Sequence, residues 1–104
     1  MIFNFHKFSK DIINLQTQDD FSVYLESYFI ELEEYLLNIS NDEIQGIKFN
    51  IEEILYDLLD NNLIQNHNSK TINAFLILLA EKFLQTSLIG AITIIVCYLP
   101  NGAT

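Results

Sequence analysis

The chain has 104 residues, half of them hydrophobic, and this size and composition predict one folded domain over residues 1–104 rather than a disordered chain. Its 14 Asp and Glu residues outnumber its five Lys residues, it contains no Arg, and its formal net charge is -9. Because nucleic acids and anionic membrane surfaces are bound by Lys and Arg, this charge argues against both as partners and favours a basic protein.

The first predicted element is a short amphipathic helix within residues 3–15. Its apolar residues recur at spacings of three and four: Phe5, Phe8, Ile12 and Leu15. These are the spacings of a helix that buries one face. A polar connection over residues 16–20 follows, in which either Asp19 or Asp20 is predicted to cap the next helix.

Residues 21–39 are predicted to form a second helix, whose core face consists of Phe21, Leu25, Phe29, Leu32, Leu36 and Ile39. Three tyrosines line one edge of that face: Tyr24, Tyr28 and Tyr35. A second apolar stripe, which we call the α2 stripe, lies on nearly the opposite face and consists of Val23, Ile30 and Leu37. The acids on either side of it are Glu26, Glu33 and Glu34.

The α2 stripe repeats every seven residues and has two interpretations. In the simpler one, another helix of the same bundle covers it. In the other, it is a surface for a partner or for self-association, because contiguous exposed apolar patches usually mark contacts.

Residues 40–49 are mostly polar and include a glycine, so we predict a break with room for one helical turn. A third helix is predicted to begin with a capping box, in which Asn50 caps the helix and Glu53 reaches back, and to end near Asn61. Its buried face consists of Ile51, Ile54, Leu55, Leu58 and Leu59.

The outer face of this helix is predicted to be an acidic ridge, made of Glu53, Asp57 and Asp60 beside Tyr56. Like charges four residues apart destabilise a helix by about 0.2–0.5 kcal/mol per pair. The ridge is either a solvated face of an acidic protein or a recognition surface.

Residues 72–99 are almost entirely apolar, and their only charges are Glu81 and Lys82. A helix capped by Asn68 or Ser69 is predicted to begin this segment and to be buried on nearly every side. Whether the segment forms one helix or two is left open. The predicted fold is all-α, a compact bundle of four to five helices around this very apolar C-terminal helical segment.

The stretch without charges at the end of the chain, residues 83–99, is shorter than the roughly 20 residues that a bilayer requires. A membrane span is therefore disfavoured. The N-terminal residues lack the pattern of a secretion signal, and the single cysteine, Cys97, can form no disulfide within the chain. We therefore expect a cytoplasmic protein.

The sequence carries no motif that names a catalytic activity. His6 and His67 stand at no metal-ligand spacing, and Gly46, Gly90 and Gly102 are too far apart to form a phosphate-binding loop. We therefore expect a protein without catalytic residues, metal or cofactor.

In size, helicity and acidity, the whole chain resembles the small acidic immunity proteins that protect bacteria from their own nuclease toxins, including those of contact-dependent growth inhibition systems. The resemblance implies a cytoplasmic protein that binds one cognate toxin tightly without catalysis. The residues expected to meet such a basic partner are Glu53, Tyr56, Asp57, Asp60, Glu26, Glu33, Glu34, Tyr24, Tyr28 and Tyr35. Two alternatives remain: a structural or assembly subunit that forms a homodimer through the α2 stripe, and a small membrane-associated protein that uses residues 83–99.

Overall fold

In the computed structural model, which describes residues 3–83 and residue 95, the described chain forms five α-helices and no strand. In chain order these are α1 (Phe5–Ile13), α2 (Gln18–Asn38), α3 (Asn41–Gly46), α4 (Lys48–Asp60) and α5 (Lys70–Phe83). The radius of gyration, 12.7 Å, is about that of a compact chain of this length. The predicted class of fold, a compact all-α bundle, is confirmed.

Hydroxyl side chains cap the first turns of three helices, and those of α3 and α5 are serines. The Ser40 Oγ accepts a hydrogen bond from the Glu43 backbone N–H at 3.2 Å, and the Ser69 Oγ accepts one from the Ile72 N–H at 3.1 Å. Because the first N–H groups of a helix have no partner within it, each hydroxyl supplies one that is otherwise missing. Ser69 was one of the two caps predicted for the apolar segment.

The predicted cap of α2 is wrong by a few residues. The oxygen that accepts from the Asp20 N–H, at 3.0 Å, is the Thr17 Oγ1, and α2 therefore begins at Gln18. Asp19 and Asp20 lie in its first turn, where their negative charges face the positive end of the helix dipole.

The predicted capping box of α4 is also wrong. Ile47 alone separates α3 from α4, and α4 begins at Lys48, so Asn50 and Glu53 both lie inside the helix. The Asn50 side chain reaches across to α1, where its Nδ2 lies 3.4 Å from the Ser9 Oγ.

The apolar segment forms the centre of the structure as far as it is described. The buried residues of α5 are Ile72, Phe75, Leu76, Leu78, Leu79 and Phe83, and Ile95 is buried too. Helix α5 packs mainly on α2, while α1 and α3 pack on α4. Phe75 of α5 contacts both α2 and α1, since its ring centre lies 5.9 Å from that of Phe21 and 6.5 Å from that of Phe8.

The connection between α4 and α5 is fixed to the start of α2. The Gln18 Nε2 donates hydrogen bonds to the backbone carbonyls of Asn62 and Gln65. Within the connection Leu63 and Ile64 are buried, so a polar loop still contributes to the core.

No helix in the part of the chain that the structure describes is long and apolar enough to cross a membrane. The question of one helix or two within residues 72–99, and the membrane hypothesis for residues 83–99, fall mostly outside the described residues.

The burial of Phe75 generates the first prediction. Replacing it by alanine, Phe75→Ala, should lower the free energy of unfolding by about 3–5 kcal/mol, because it removes a ring from a site that cannot fully close. Urea denaturation followed by circular dichroism measures this change. The control is Ile30→Ala, at a side chain that is 75% exposed, which should change the free energy by less than about 1 kcal/mol. Equal losses in the two variants would contradict the described packing.

Candidate functional site

The α2 stripe is exposed. Val23 and Leu37 each have 64% of their surface open to solvent, and Ile30 has 75%. The simpler interpretation, in which another helix covers the stripe, is therefore wrong for the described structure. The stripe faces solvent because the core side of α2 lies on nearly the opposite face, where Leu25, Leu32 and neighbouring residues pack.

The surface around the stripe is negatively charged. Glu26, Glu33 and Glu34 are all exposed, and α2 contains no lysine. Among the described residues the single ion pair joins Lys7 and Asp11, so none of these three glutamates is paired with a cation there. These glutamates therefore give this side of α2 a negative charge that no described lysine compensates.

The acidic ridge on α4 lies where it was predicted, with one change and one addition. Glu53 and Asp60 are exposed and Tyr56 is 56% exposed, whereas Asp57 is half-buried. The addition is Phe49, which is 77% exposed. Its position four residues before Glu53 and seven before Tyr56 places it on the same side of the helix.

We call Phe49, Glu53, Tyr56 and Asp60 the α4 face. Phe49 was not among the predicted site residues, because the helix was predicted to begin after it. Phe49 and Tyr56 are seven residues apart, a spacing that places both on one side of a helix. This spacing indicates a shared face only when α4 begins at Lys48.

Asp57 differs from the rest of the predicted ridge. Its Oδ1 accepts a hydrogen bond from the Asn61 Nδ2 at 3.1 Å, while its Oδ2 is buried with no hydrogen-bond partner. Burial raises the pKa of the Asp57 carboxyl; the Asn61 hydrogen bond opposes this, and the charges of Asp60 and Glu53 add to it. Asp57 is therefore less accessible to a partner than the sequence predicted.

The three predicted tyrosines do not project freely into solvent but line a groove of about 690 Å³. We call it the tyrosine groove. Tyr24, Tyr28 and Tyr35 form its α2 side, and Phe3 and Phe8 contribute from the N-terminal side. The Tyr24 and Tyr28 ring centres are 4.9 Å apart, and those of Phe3 and Tyr35 are 5.5 Å apart, so the aromatic rings lie in contact with one another.

One end of the groove holds an internal ion pair. The Asp11 Oδ2 accepts a hydrogen bond from the Lys7 Nζ at 3.0 Å and another from the Tyr24 hydroxyl at 3.0 Å. These two bonds lower the pKa of the Asp11 carboxyl, Lys7 contributing most. Burial, followed by the hydrogen bond to Asp11, raises the pKa of Tyr24, which therefore stays protonated as a donor.

The rest of the groove is lined by carboxylates without a cation. Glu31 and Glu34 of α2 and Glu43 of α3 line it, and Lys7 is the only lysine that does so among the described residues. Burial first, and then the charge of Glu43, raises the pKa of the Tyr35 hydroxyl. The groove thus combines aromatic walls with a net negative charge.

In the part of the chain that the structure describes, no three or more His, Cys, Asp or Glu side chains are grouped to hold a metal ion. His6 is exposed, and His67 lies in the connection between α4 and α5.

The comparison with models of protein families gives no match. The comparisons with curated proteins and with solved structures give none either. The surface features of the described residues that bear on function are the α4 face, the α2 stripe and the tyrosine groove.

The hydrogen bond between Tyr24 and Asp11 can be tested by titration. In Tyr24→Phe the pKa of Asp11 should rise toward its ordinary value of 3.8, because one of the two donors to its carboxylate is gone. Titration of the Asp11 carboxyl carbon by NMR measures the pKa. The control is Tyr28→Phe, which removes a hydroxyl from the same groove without removing a hydrogen bond to Asp11.

The sign of the effect on stability follows from the direction of this pKa. The pKa of Asp11 is lower in the folded chain than the 3.8 of the unfolded chain, so its contribution to stability is complete above 3.8. The contribution is lost as the pH falls through the folded value. An unchanged pKa in Tyr24→Phe, or an equal rise in Tyr28→Phe, would contradict the assigned hydrogen bond.

Proposed function

We propose that this protein is a non-catalytic inhibitor that binds a basic protein, and that it is a cytoplasmic immunity protein that neutralises a nuclease-type bacterial toxin. The observation that carries the proposal is the α4 face. On it two exposed aromatic side chains, Phe49 and Tyr56, alternate along one helix with two exposed carboxylates.

The aromatic residues of the α4 face support a protein as the partner. A phenylalanine that is 77% exposed and a tyrosine that is 56% exposed keep a large apolar area in contact with water. Aromatic side chains are enriched at protein interfaces, and a few of them supply most of the binding free energy. Phe49 and Tyr56 are the two side chains on this face that can act as such anchors.

The carboxylates of the α4 face support a basic partner. Glu53 and Asp60 are exposed, and α4 contains one lysine, Lys48, at its first residue. A negative surface attracts a cationic protein during diffusion and disfavours acidic competitors. Nucleases bind their substrates through clefts rich in Lys and Arg, so an acidic helix that occupies such a cleft would block the substrate.

The proposal predicts the effect of reversing charge on the α4 face. The double variant Glu53→Lys with Asp60→Lys should keep its helical circular dichroism but lose neutralisation of a toxin domain encoded in the neighbouring reading frame. Asp57 is left unchanged, because its carboxyl is partly buried and accepts the Asn61 hydrogen bond. Growth of cells that express the toxin domain, with and without this protein, measures neutralisation.

The matched control makes the same change in charge on α2, as Glu26→Lys with Glu33→Lys. It weakens the overall negative field equally but leaves the α4 face intact, so neutralisation should persist.

A third variant, Tyr56→Ala, should raise the Kd for the toxin domain about thirtyfold if Tyr56 is an anchor worth about 2 kcal/mol. Equal loss of neutralisation in both double variants would contradict the assignment of the α4 face as the binding surface. Absence of neutralisation by the unmodified chain would contradict the proposed function.

The exposed α2 stripe favours a second candidate function, a structural or assembly subunit that forms a homodimer. Its apolar residues suit a helix-to-helix contact, but two copies would bring Glu26, Glu33 and Glu34 of each chain close together. Like charges that face each other across an interface oppose association. The charge therefore disfavours a homodimer through this stripe.

Light scattering distinguishes these candidates. The proposal of a basic partner predicts a monomer of 12.1 kDa for the unmodified chain, at both low and high salt. A homodimer through the stripe would appear as twice that mass, would strengthen as salt screens the glutamates, and would be abolished by Ile30→Lys. A dimer that strengthens with salt and is abolished by Ile30→Lys would contradict the proposed inhibitor and support the assembly subunit.

A further inference from the structure

We infer that the tyrosine groove binds the guanidinium group of an arginine side chain supplied by another protein. This inference rests on the proposed function, since the arginine would come from the basic partner, and it adds a second contact separate from the α4 face.

The walls of the groove favour a cation. The Tyr24, Tyr28 and Tyr35 rings line it together with Phe3, and the faces of aromatic rings attract cations through their quadrupole. The ring centres are only 4.9 Å apart for Tyr24 and Tyr28 and 5.5 Å apart for Phe3 and Tyr35. Phe8 joins the two pairs, since its ring centre lies 5.6 Å from that of Tyr24 and 5.4 Å from that of Phe3, so the rings form one aromatic cluster beside the groove.

The rim of the groove selects against a neutral apolar occupant. An apolar side chain would remove water from Glu31, Glu34 and Glu43 without giving their carboxylates a partner, and this costs free energy. A cation supplies that partner. Glu31 and Glu34 are three residues apart on one helix, so their carboxylates lie on neighbouring positions of its surface.

Among the described residues, no lysine forms an ion pair with any of these three glutamates. Lys7 lines the groove but its ammonium donates to Asp11, and Lys82 donates to the backbone carbonyl of Ile39 at the end of α2. Residues 84–104 contain neither lysine nor arginine. A side-chain cation that neutralises Glu31, Glu34 and Glu43 therefore comes from a second molecule.

A guanidinium fits this site better than an ammonium does. It is planar, is weakly hydrated and stacks on aromatic rings, while its edges carry several N–H donors that can bond to two carboxylates at once. A lysine ammonium is more strongly hydrated and offers no flat face. The combination of aromatic walls with neighbouring carboxylates therefore selects arginine.

The test is an NMR titration of the full chain with the peptide acetyl-Gly-Gly-Arg-Gly-Gly-amide. The matched probe replaces arginine by citrulline, which has nearly the same shape but no charge. The arginine peptide should shift the ring signals of Tyr24, Tyr28 and Tyr35 and bind at least about fivefold more tightly than the citrulline peptide. Equal binding of the two peptides, or no binding of the arginine peptide, would overturn the inference.

Two double variants locate the binding. Glu31→Gln with Glu34→Gln should weaken binding of the arginine peptide about threefold to tenfold, because it removes two carboxylates and keeps their size. Glu53→Gln with Asp60→Asn makes the same change in charge on the α4 face and should leave peptide binding unchanged. Equal weakening by both would show that only overall charge matters and would overturn the groove as the site.

Failure of the inference and failure of the proposed function give different results. A chain that neutralises the toxin domain but does not distinguish arginine from citrulline would overturn the groove and leave the function standing. A chain that binds the arginine peptide in the groove but neutralises no toxin would leave the groove standing and overturn the function.

Discussion

The shortage of cations within this chain is the constraint on which its surface depends. Thirteen of the 14 acidic residues lie between Asp11 and Ser69, and Lys48 is the one base in that stretch. Most carboxylates therefore have no internal partner, and the described ion pair, between Lys7 and Asp11, joins residues of the same helix. Most of these acids are exposed, and their mutual repulsion opposes the compact state. A cationic partner would relieve that repulsion, so the charges that destabilise the free chain would favour a complex with it.

Much of the fold could be predicted from the spacing of apolar residues. The three-and-four spacing located α1 and α2 to within a few residues, and the apolar residues of α5 form part of the core, as predicted. The errors lie at helix ends. At α2 the cap is a threonine that lies before two acids which are equally good caps in sequence. The error at α4 arose because a glycine and several polar residues resemble a loop. In the structure Gly46 is the last residue of α3, and Ile47 alone separates α3 from α4. This error had the larger effect, because α4 begins at Lys48 and Phe49 therefore lies on an exposed face of the helix.

The candidate sites could be predicted only in part, for a physical reason. Periodicity within one helix identifies which residues share a face, and it correctly grouped the tyrosines of α2 and, on α4, Glu53 with Asp60. It does not show what the neighbouring helix covers. Whether Tyr24 projects into solvent or forms the wall of a groove depends on its contacts with Phe8 and Asp11 of α1, which lie on a different helix. Asp57 illustrates the same limit, since its position on the helix suggested exposure and its neighbours bury it.

The hydrogen bonds of Gln18 join parts of the chain that are 44 and 47 positions apart. One amide side chain in the first turn of α2 thereby holds two carbonyls of the connection that precedes α5. Ends of helices and loops usually open independently of the core and with little free energy. Here the two are coupled, because fraying of the first turn of α2 breaks both hydrogen bonds of Gln18 to the loop, and opening of the loop likewise releases the Gln18 side chain.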